Sequence, residues 1–446
     1  MYAQRWRALL HVANLWHQSC IPDAMRQRRI AIMGRLLDQN DGMGVYSQYL
    51  TRNLLELDPH THYSILLRTP NRRDLFRDYR NAETHVLPAK SILYWDQIVV
   101  ARAARRLDVD LIFNPKFSVP FLSRRPSVFV HQGWDWYVNP KNYEWWDNIY
   151  IRLMLPLYDR KAARTLAISQ ATIEGMRRYA GLKLADCVVS HAGIGPNFTA
   201  QRDQSALAEF RKKHALPQHY ILTVARAHHG GHNKQRVYPG GNNERLLRAY
   251  RSYRQQGGTL PLVVVGFRIE EYLRSRGFTD ADLADVRFLG FVPNLEMHLA
   301  YQAAECFVLA TMCESFGIPI LEALATGCPA IVPNTCASPE VAGGAARLID
   351  PYSEEDIARA LLEVAGSSEL RAQMHARGLQ RAQELTWRET ARLTLQVFDE
   401  IVPRAPDSTV LRHPPAQEVK VDVAALGKRR DGLGPTPGSH RHQAQQ

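Results

Sequence analysis

Short apolar runs alternate along most of the chain with longer stretches of helical period. Ile30–Met33, Tyr63–Leu67, Asp110–Phe113, Ser127–Val130, Thr165–Ile168 and Asp186–Ser190 read as buried strands. A helix is expected over Tyr46–Leu57, where Asp58-Pro59 ends it, because the residue before a proline is pushed out of helical backbone. After a polar stretch at about 199–217 a second series begins. Its strands are Tyr220–Val224, Pro261–Val265, Val286–Leu289, Cys306–Ala310, Ala330–Val332 and Ala346–Ile349, with a helix over Asn243–Gln255. Strands spaced by helices predict an α/β protein with parallel sheets covered on both faces. Two such units in tandem predict two Rossmann-like domains facing a cleft, with ligands at the carboxyl ends of the strands. The expected divisions are an extension over 1–29, domains over 30–199 and 200–402, and a disordered tail over 403–446, rich in Pro, Gly, His and Gln.

Charge and composition narrow the partners. The net charge is +12. Residues 1–29 hold five Arg against one Asp, and 403–446 hold seven basic against four acidic residues, so over half of the excess sits in the two ends. A mildly basic body suits anionic ligands such as nucleoside diphosphates, or an anionic membrane face. Nucleic acid is disfavoured, because no zinc-finger spacing and no RNA-binding aromatic motif occurs. Trp6, Leu9, Leu10, Ala13 and Trp16 share one helical face, which predicts a peripheral membrane contact for the extension; a loose terminus is the plain alternative. No run of 18 apolar residues predicts a membrane span. The six cysteines form no Cys-x-x-Cys and no regular framework, which favours a reducing, cytoplasmic setting.

The chemistry concentrates in Cys313-Glu-Ser-Phe-Gly-Ile-Pro-Ile-Leu-Glu-Ala-Leu-Ala-Thr-Gly-Cys-Pro329. Pro319 suits the first turn of a helix, where its missing N–H costs nothing, and Gly327 suits the left-handed position just past the end. The loop Ser315-Phe-Gly317 then offers backbone N–H groups at a helix N-terminus, which attracts phosphate. Glu314 lies in the loop and Glu322 is expected on the first turn. Carboxylates there would repel phosphate by contact, so they read as acceptors for sugar hydroxyls. Two Glu alone would more often be ordinary surface residues beside a turn.

The surrounding residues change that weighting. Glu314-x7-Glu322 in this setting, followed by Ser338-Pro-Glu-Val-Ala-Gly343, resembles the donor signature of the glycosyltransferase family 4 enzymes, which have the GT-B fold. Asp41-Gly-Met-Gly-Val-Tyr46 resembles the family's first glycine loop. Ile168-Ser-Gln170 and Gly193-Ile-Gly-Pro-Asn-Phe198 resemble its inter-domain landmarks, and Val286-Arg-Phe-Leu-Gly-Phe-Val-Pro293 its base-side segment. The resemblance covers roughly residues 30–400. It implies an acceptor-side amino-terminal domain and a donor-binding carboxy-terminal domain. Glu314 would meet the donor sugar and Glu322 the ribose. Phe316, Gly317 and Ile318 would give backbone contacts to sugar and phosphate, and Gly42 and Gly44 would let the backbone approach the diphosphate. His131 would be catalytic and point into the cleft from the end of its strand, although the family's usual His-Asp is His131-Gln132 here. A structural histidine is the competing role for it. Arg226 and Lys234, with Arg236 as the alternative to Lys234, would neutralise the leaving diphosphate.

The segment 227–242 carrying that lysine looks like an inserted polar loop. Its histidines lack a carboxylate or cysteine in register for a metal. Asp108-Val-Asp110 mimics a metal motif but reads as helix-to-strand punctuation. No metal or other cofactor is expected. Dense aromatics over His131–Tyr150 suit sugar stacking, a membrane interface or plain packing. The resemblance implies a retaining transferase moving sugar from a GDP- or UDP-sugar to a glycan or lipid-linked acceptor. The rivals are another GT-B activity, such as an epimerase or a phosphorylase, and a non-catalytic nucleotide-sugar or polyanion-binding protein.

Overall fold

The computed structural model describes residues 27–404 apart from 40–41, 139, 226, 231–233 and 238–240. The expected helix in the first residues and the tail from 405 onward lie outside the described residues.

The first sheet has seven parallel strands in the order β3-β2-β1-β4-β5-β6-β7. These are β1 (Arg29–Met33), β2 (His62–Leu67), β3 (Ala82–Val86), β4 (Leu111–Asn114), β5 (Ser127–His131), β6 (Arg164–Ala167) and β7 (Val188–Val189). The second sheet has six parallel strands in the order β12-β11-β8-β13-β14-β15. Its members are β8 (Ile221–Val224), β11 (Leu262–Val265), β12 (Val286–Gly290), β13 (Cys306–Val308), β14 (Ala330–Pro333) and β15 (Arg347–Ile349). The central strands are largely apolar and almost entirely buried, as parallel sheets with helices on both faces require. The α/β class and the two Rossmann-like units are therefore as expected.

Three features differ from the expectation. The extension ends before residue 28: Arg29 opens β1, and Arg28 is buried against Asp58 and Asp399. The inserted segment is not simply a loop. Ala227–Gly230 (β9) and Lys234–Val237 (β10) pair as an antiparallel ribbon, with Lys234 opposite Gly230 and Arg236 opposite His228. The last helix, Trp387–Ile401, returns to the amino-terminal unit and packs on the helix Gly42–Leu57. Trp387 stacks on Tyr49 and meets Tyr46 edge-on, at 5.7 and 5.4 Å between centroids, and Phe398 packs on Phe113 of β4. Gly193 is needed for this crossing, because a Cβ there would lie 2.0 Å from the Trp387 backbone nitrogen. Ile194 N–H donates to the Leu385 carbonyl at 3.2 Å beside it. The two units are thus tied together by the segment that resembled an inter-domain landmark.

Candidate functional site

The carboxyl end of β13 delivers the loop that carries Glu314. Gly317 takes the left-handed conformation with φ 91°, and the helix Ile318–Ala325 follows with Pro319 in its first turn. The N-cap position is Gly317, which has no side chain to cap the helix. Gly327, at φ 72°, ends the helix where a Cβ would strike the His375 ring. Because the helix begins at Ile318, Glu322 lies in its second turn rather than its first.

Both carboxylates sit in built surroundings. The Tyr301 hydroxyl donates to Glu322 Oε2 at 2.9 Å. Burial, together with the Glu322 charge, holds that phenol well above its ordinary pKa, so it stays a donor. Glu314 is 5% exposed, and its carbonyl accepts from Ala337 N–H at 3.1 Å. On the same stretch Cys313 and Cys336 form a disulfide. The bridge and the hydrogen bond pin the loop on both sides of Glu314 to the segment after β14. The absence of a regular cysteine framework did not foretell this pairing, which weakens the argument from cysteine use for a reducing compartment. Cys306, Cys328 and Cys187 are free thiols.

The amino-terminal unit closes on this loop. The Ser315 carbonyl accepts from Ser169 Oγ at 2.6 Å and from Thr172 Oγ1 at 3.3 Å. Ser169 also accepts from Thr172 N–H at 3.0 Å and so caps the helix Gln170–Gly175. Gly133, after β5, lies so near that a Cβ would be 2.3 Å from Ser315 Oγ. Glu340 spans the same gap from below. Its carboxylate accepts from the N–H groups of Gln170 and Ala171 at 2.8 and 3.1 Å and lies 2.6 Å from His191 Nε2. Burial would raise its pKa, but these partners together outweigh burial and hold it low. Phe316 is buried, with its ring 6.1 Å from that of His191.

Gly42 opens the first long helix directly opposite. A Cβ on it would be 3.3 Å from Ile318 Cδ1, so the first glycine loop and the donor-side helix face each other at contact distance. Gly44 is required by its own loop, because a Cβ would meet the Gln39 carbonyl oxygen at 1.9 Å. Gly42, Gly44, Glu314, Phe316, Gly317, Ile318 and Glu322 therefore belong to one region. Arg226 lies outside the described residues. Lys234 and Arg236 are placed by backbone alone, on β10.

His131 differs from the expectation of a ring open to the cleft: it is fully buried. Strand residues two apart share a face, and Phe129 packs with Leu155 and Tyr158 of the helix Trp145–Lys161. His131 follows it, with Nε2 3.3 Å from Asp159 Oδ1. Asp108 and Asp110 have structural partners: Asp108 pairs with Arg125 at 2.6 Å, and Asp110 accepts from Arg29 N–H at 2.7 Å. The aromatic segment divides. Trp134 is buried over Gly175, Trp136 packs on Phe117, and Tyr150 meets Tyr158, but Trp145 and Trp146 are exposed. Sequence reasoning missed Tyr301, Thr172, His191 and the cysteine pair. None of them has a local signal, since each acts through a partner 21 to 149 residues away.

Residues 234–381 match the family model described as "Glycosyl transferases group 1". The chain is 31% identical over 166 residues to the O-antigen chain mannosyltransferase B of Escherichia coli, which covers 36% of this chain and 43% of that protein. The chain thus spans less than half the length of the curated relatives it first matches. Among solved structures it resembles a glycosyltransferase from Rickettsia africae, with TM-score 0.64 and 12% identity over 84% of this chain and 99% of that one. It also resembles Anabaena Alr3699/HepE in complex with UDP and glucose, with TM-score 0.63 and 15% identity over 84% and 100%. Fold and family match converge: this is a protein of GT-B fold whose residues 234–381 carry the pattern of the glycosyl transferases group 1.

Proposed function

We propose that this protein is a glycosyltransferase of family 4, moving a sugar with retention from a nucleoside diphosphate donor to a hydroxyl of a glycan or lipid-linked acceptor. The observation that carries this is the pair Glu314 and Glu322 around a helix start whose N-cap is Gly317, faced by Gly42 of the opposite unit. A diphosphate suits the helix start, where backbone dipoles favour negative charge. Glu322, steadied by Tyr301, would hold the ribose. Glu314 would hold the sugar. Arg226 and Lys234 would take up charge on the leaving diphosphate. His131 would act only as a positioning group, fixing the turn that leads to Gly133. The protein's share of the work is orientation and charge stabilisation.

The test is turnover of a panel of GDP- and UDP-sugars with candidate acceptors, mannosyl donors first because the first curated relatives the chain matches are mannosyltransferases. Transfer of none, with donor binding intact, would favour a binding protein instead. Free phosphate dependence or epimerisation without acceptor would favour the other GT-B activities.

Two further outcomes are expected. Glu322→Ala should raise donor KM by about tenfold with kcat nearly kept, because the ribose is held alike in ground and transition states. Steady-state kinetics with the active donor check this, and an equal fall in kcat would contradict it. Transfer should also persist in excess chelator, since the assigned charge neutralisers are Arg226, Lys234 and a helix end. Full loss in chelator, restored by Mg²⁺ or Mn²⁺, would overturn the metal-independent reading.

A further inference from the structure

The helix Trp145–Lys161 is apolar on two opposite faces. Ile151, Leu155 and Tyr158 are buried against the first sheet. Trp145, Trp146, Ile149, Leu153 and Leu157 fall on the other side at helical spacing and face solvent, with Trp145 68% and Leu153 64% exposed. A surface helix normally buries one stripe and shows polar groups on the rest. A second stripe of five large apolar side chains marks an interaction surface.

More exposed apolar groups are anchored on the same helix. Phe121 stacks on Tyr158 at 5.1 Å, and its neighbour Leu122 is 70% exposed. Gln97 donates to the Tyr158 hydroxyl at 3.3 Å, and the turn before it shows Ile92, Leu93 and Tyr94 to solvent. Each of these protrusions has a cation beside it. Arg152, Arg160 and Lys161 are exposed on the long helix, Arg124 follows Leu122, and Lys90 precedes Ile92. The nearby carboxylate Asp159 is engaged by His131. The exposed acids Glu144 and Asp147 flank Trp145 and Trp146, with the exposed Lys141 ahead of them.

We propose that this face docks the protein onto an anionic lipid bilayer, with Trp145, Trp146, Ile149, Leu153 and Leu157 entering the headgroup boundary and the flanking Arg and Lys meeting lipid phosphates. Exposed Trp and Leu with basic residues between them is the composition of an interfacial helix, and bilayer charge supplies the complement. The surface belongs to the folded body and is separate from the chain's first residues. It precedes Tyr158 on the segment that leads from Gly133, so docking would hold the acceptor-side unit at the membrane, where a lipid-linked acceptor is found.

The test is co-sedimentation of the full chain with phosphatidylcholine vesicles with and without phosphatidylglycerol, compared with Trp145→Ser/Leu153→Glu. The parent should bind the anionic vesicles, more weakly in high salt because charge attraction is screened. The double variant should bind about a hundredfold more weakly, roughly tenfold for each apolar group lost. Melting and nucleotide binding should be unchanged, since both side chains are exposed. The proposal falls if the double variant binds like the parent, which would put any binding in the first residues instead. It falls equally if the parent ignores anionic vesicles, or if it is a dimer that the double substitution makes monomeric, which would make this face a contact between copies. Vesicle binding is read without turnover, so its failure leaves the transferase reading untouched.

Discussion

Arg28→Ala is expected to lower the stability of the folded protein by about 3–5 kcal/mol, the usual loss when one partner is removed from a buried ion pair. Arg28 is 5% exposed and Asp58 only 1%. One Arg28 nitrogen lies 2.5 Å from Asp58 Oδ2, and another 2.6 Å from Asp399 Oδ1. The remaining donors reach Thr61 Oγ1 at 2.9 Å and the Val402 carbonyl at 3.1 Å. Asp58 also accepts from the Tyr63 hydroxyl at 2.9 Å. Without the guanidinium, Asp58 keeps that phenol and a distant Arg404 at 3.8 Å, which is too little for a buried charge. The same loss removes one tie between the end of the helix Trp387–Ile401 and the amino-terminal unit, leaving Phe398 on Phe113. Arg28→Lys should rescue little, because one ammonium cannot serve four acceptors in a fixed fork. Asp399→Asn should cost only about 1 kcal/mol, since that side chain is 30% exposed and partly screened. Denaturant unfolding measures all three. A loss under about 1 kcal/mol for Arg28→Ala would refute the buried-pair account.

This residue also shows where sequence reading runs out. The fold was legible because buried parallel strands are apolar without interruption, and Ile30–Met33 or Pro261–Val265 needs no neighbour to be recognised. Ala82–Val86 was missed because it is an edge strand; Glu83 is exposed and Thr84 and His85 are only partly covered, so the apolar run is absent. Arg28 was assigned to a loose extension because its partners lie 30 and 371 residues away. The donor-side loop was legible through Pro319 and Gly327, whose backbone demands are local. Tyr301 and the Cys313–Cys336 bridge were not, because they depend on which helices and loops meet. The burial of His131 was not legible either. Its two-residue offset from Phe129 puts it on the same face as that ring, but Val128 and Val130 are buried on the other face too, so parity alone does not say what the imidazole meets.

Glu314→Gln should lower kcat by roughly tenfold to a hundredfold while raising donor KM much less. As the glycosidic bond lengthens, positive charge grows on the sugar, and a carboxylate held beside it stabilises the transition state more than the ground state. Glutamine keeps the shape and the capacity to accept a hydrogen bond but removes the charge. The backbone is well placed to isolate that change. Its carbonyl is held by Ala337, the preceding residue is cross-linked to Cys336, and the next carbonyl is held by Ser169. The substituted side chain should therefore sit where the carboxylate sat, with melting close to that of the parent. A group that merely accepts a sugar hydroxyl in the bound donor predicts the opposite split, with KM raised and kcat kept. Steady-state kinetics on the active donor, with Glu322→Ala alongside, separates the two roles. If Glu314→Gln turns over like the parent, the carboxylate does not face the reacting sugar, and the loop serves the donor only through its backbone.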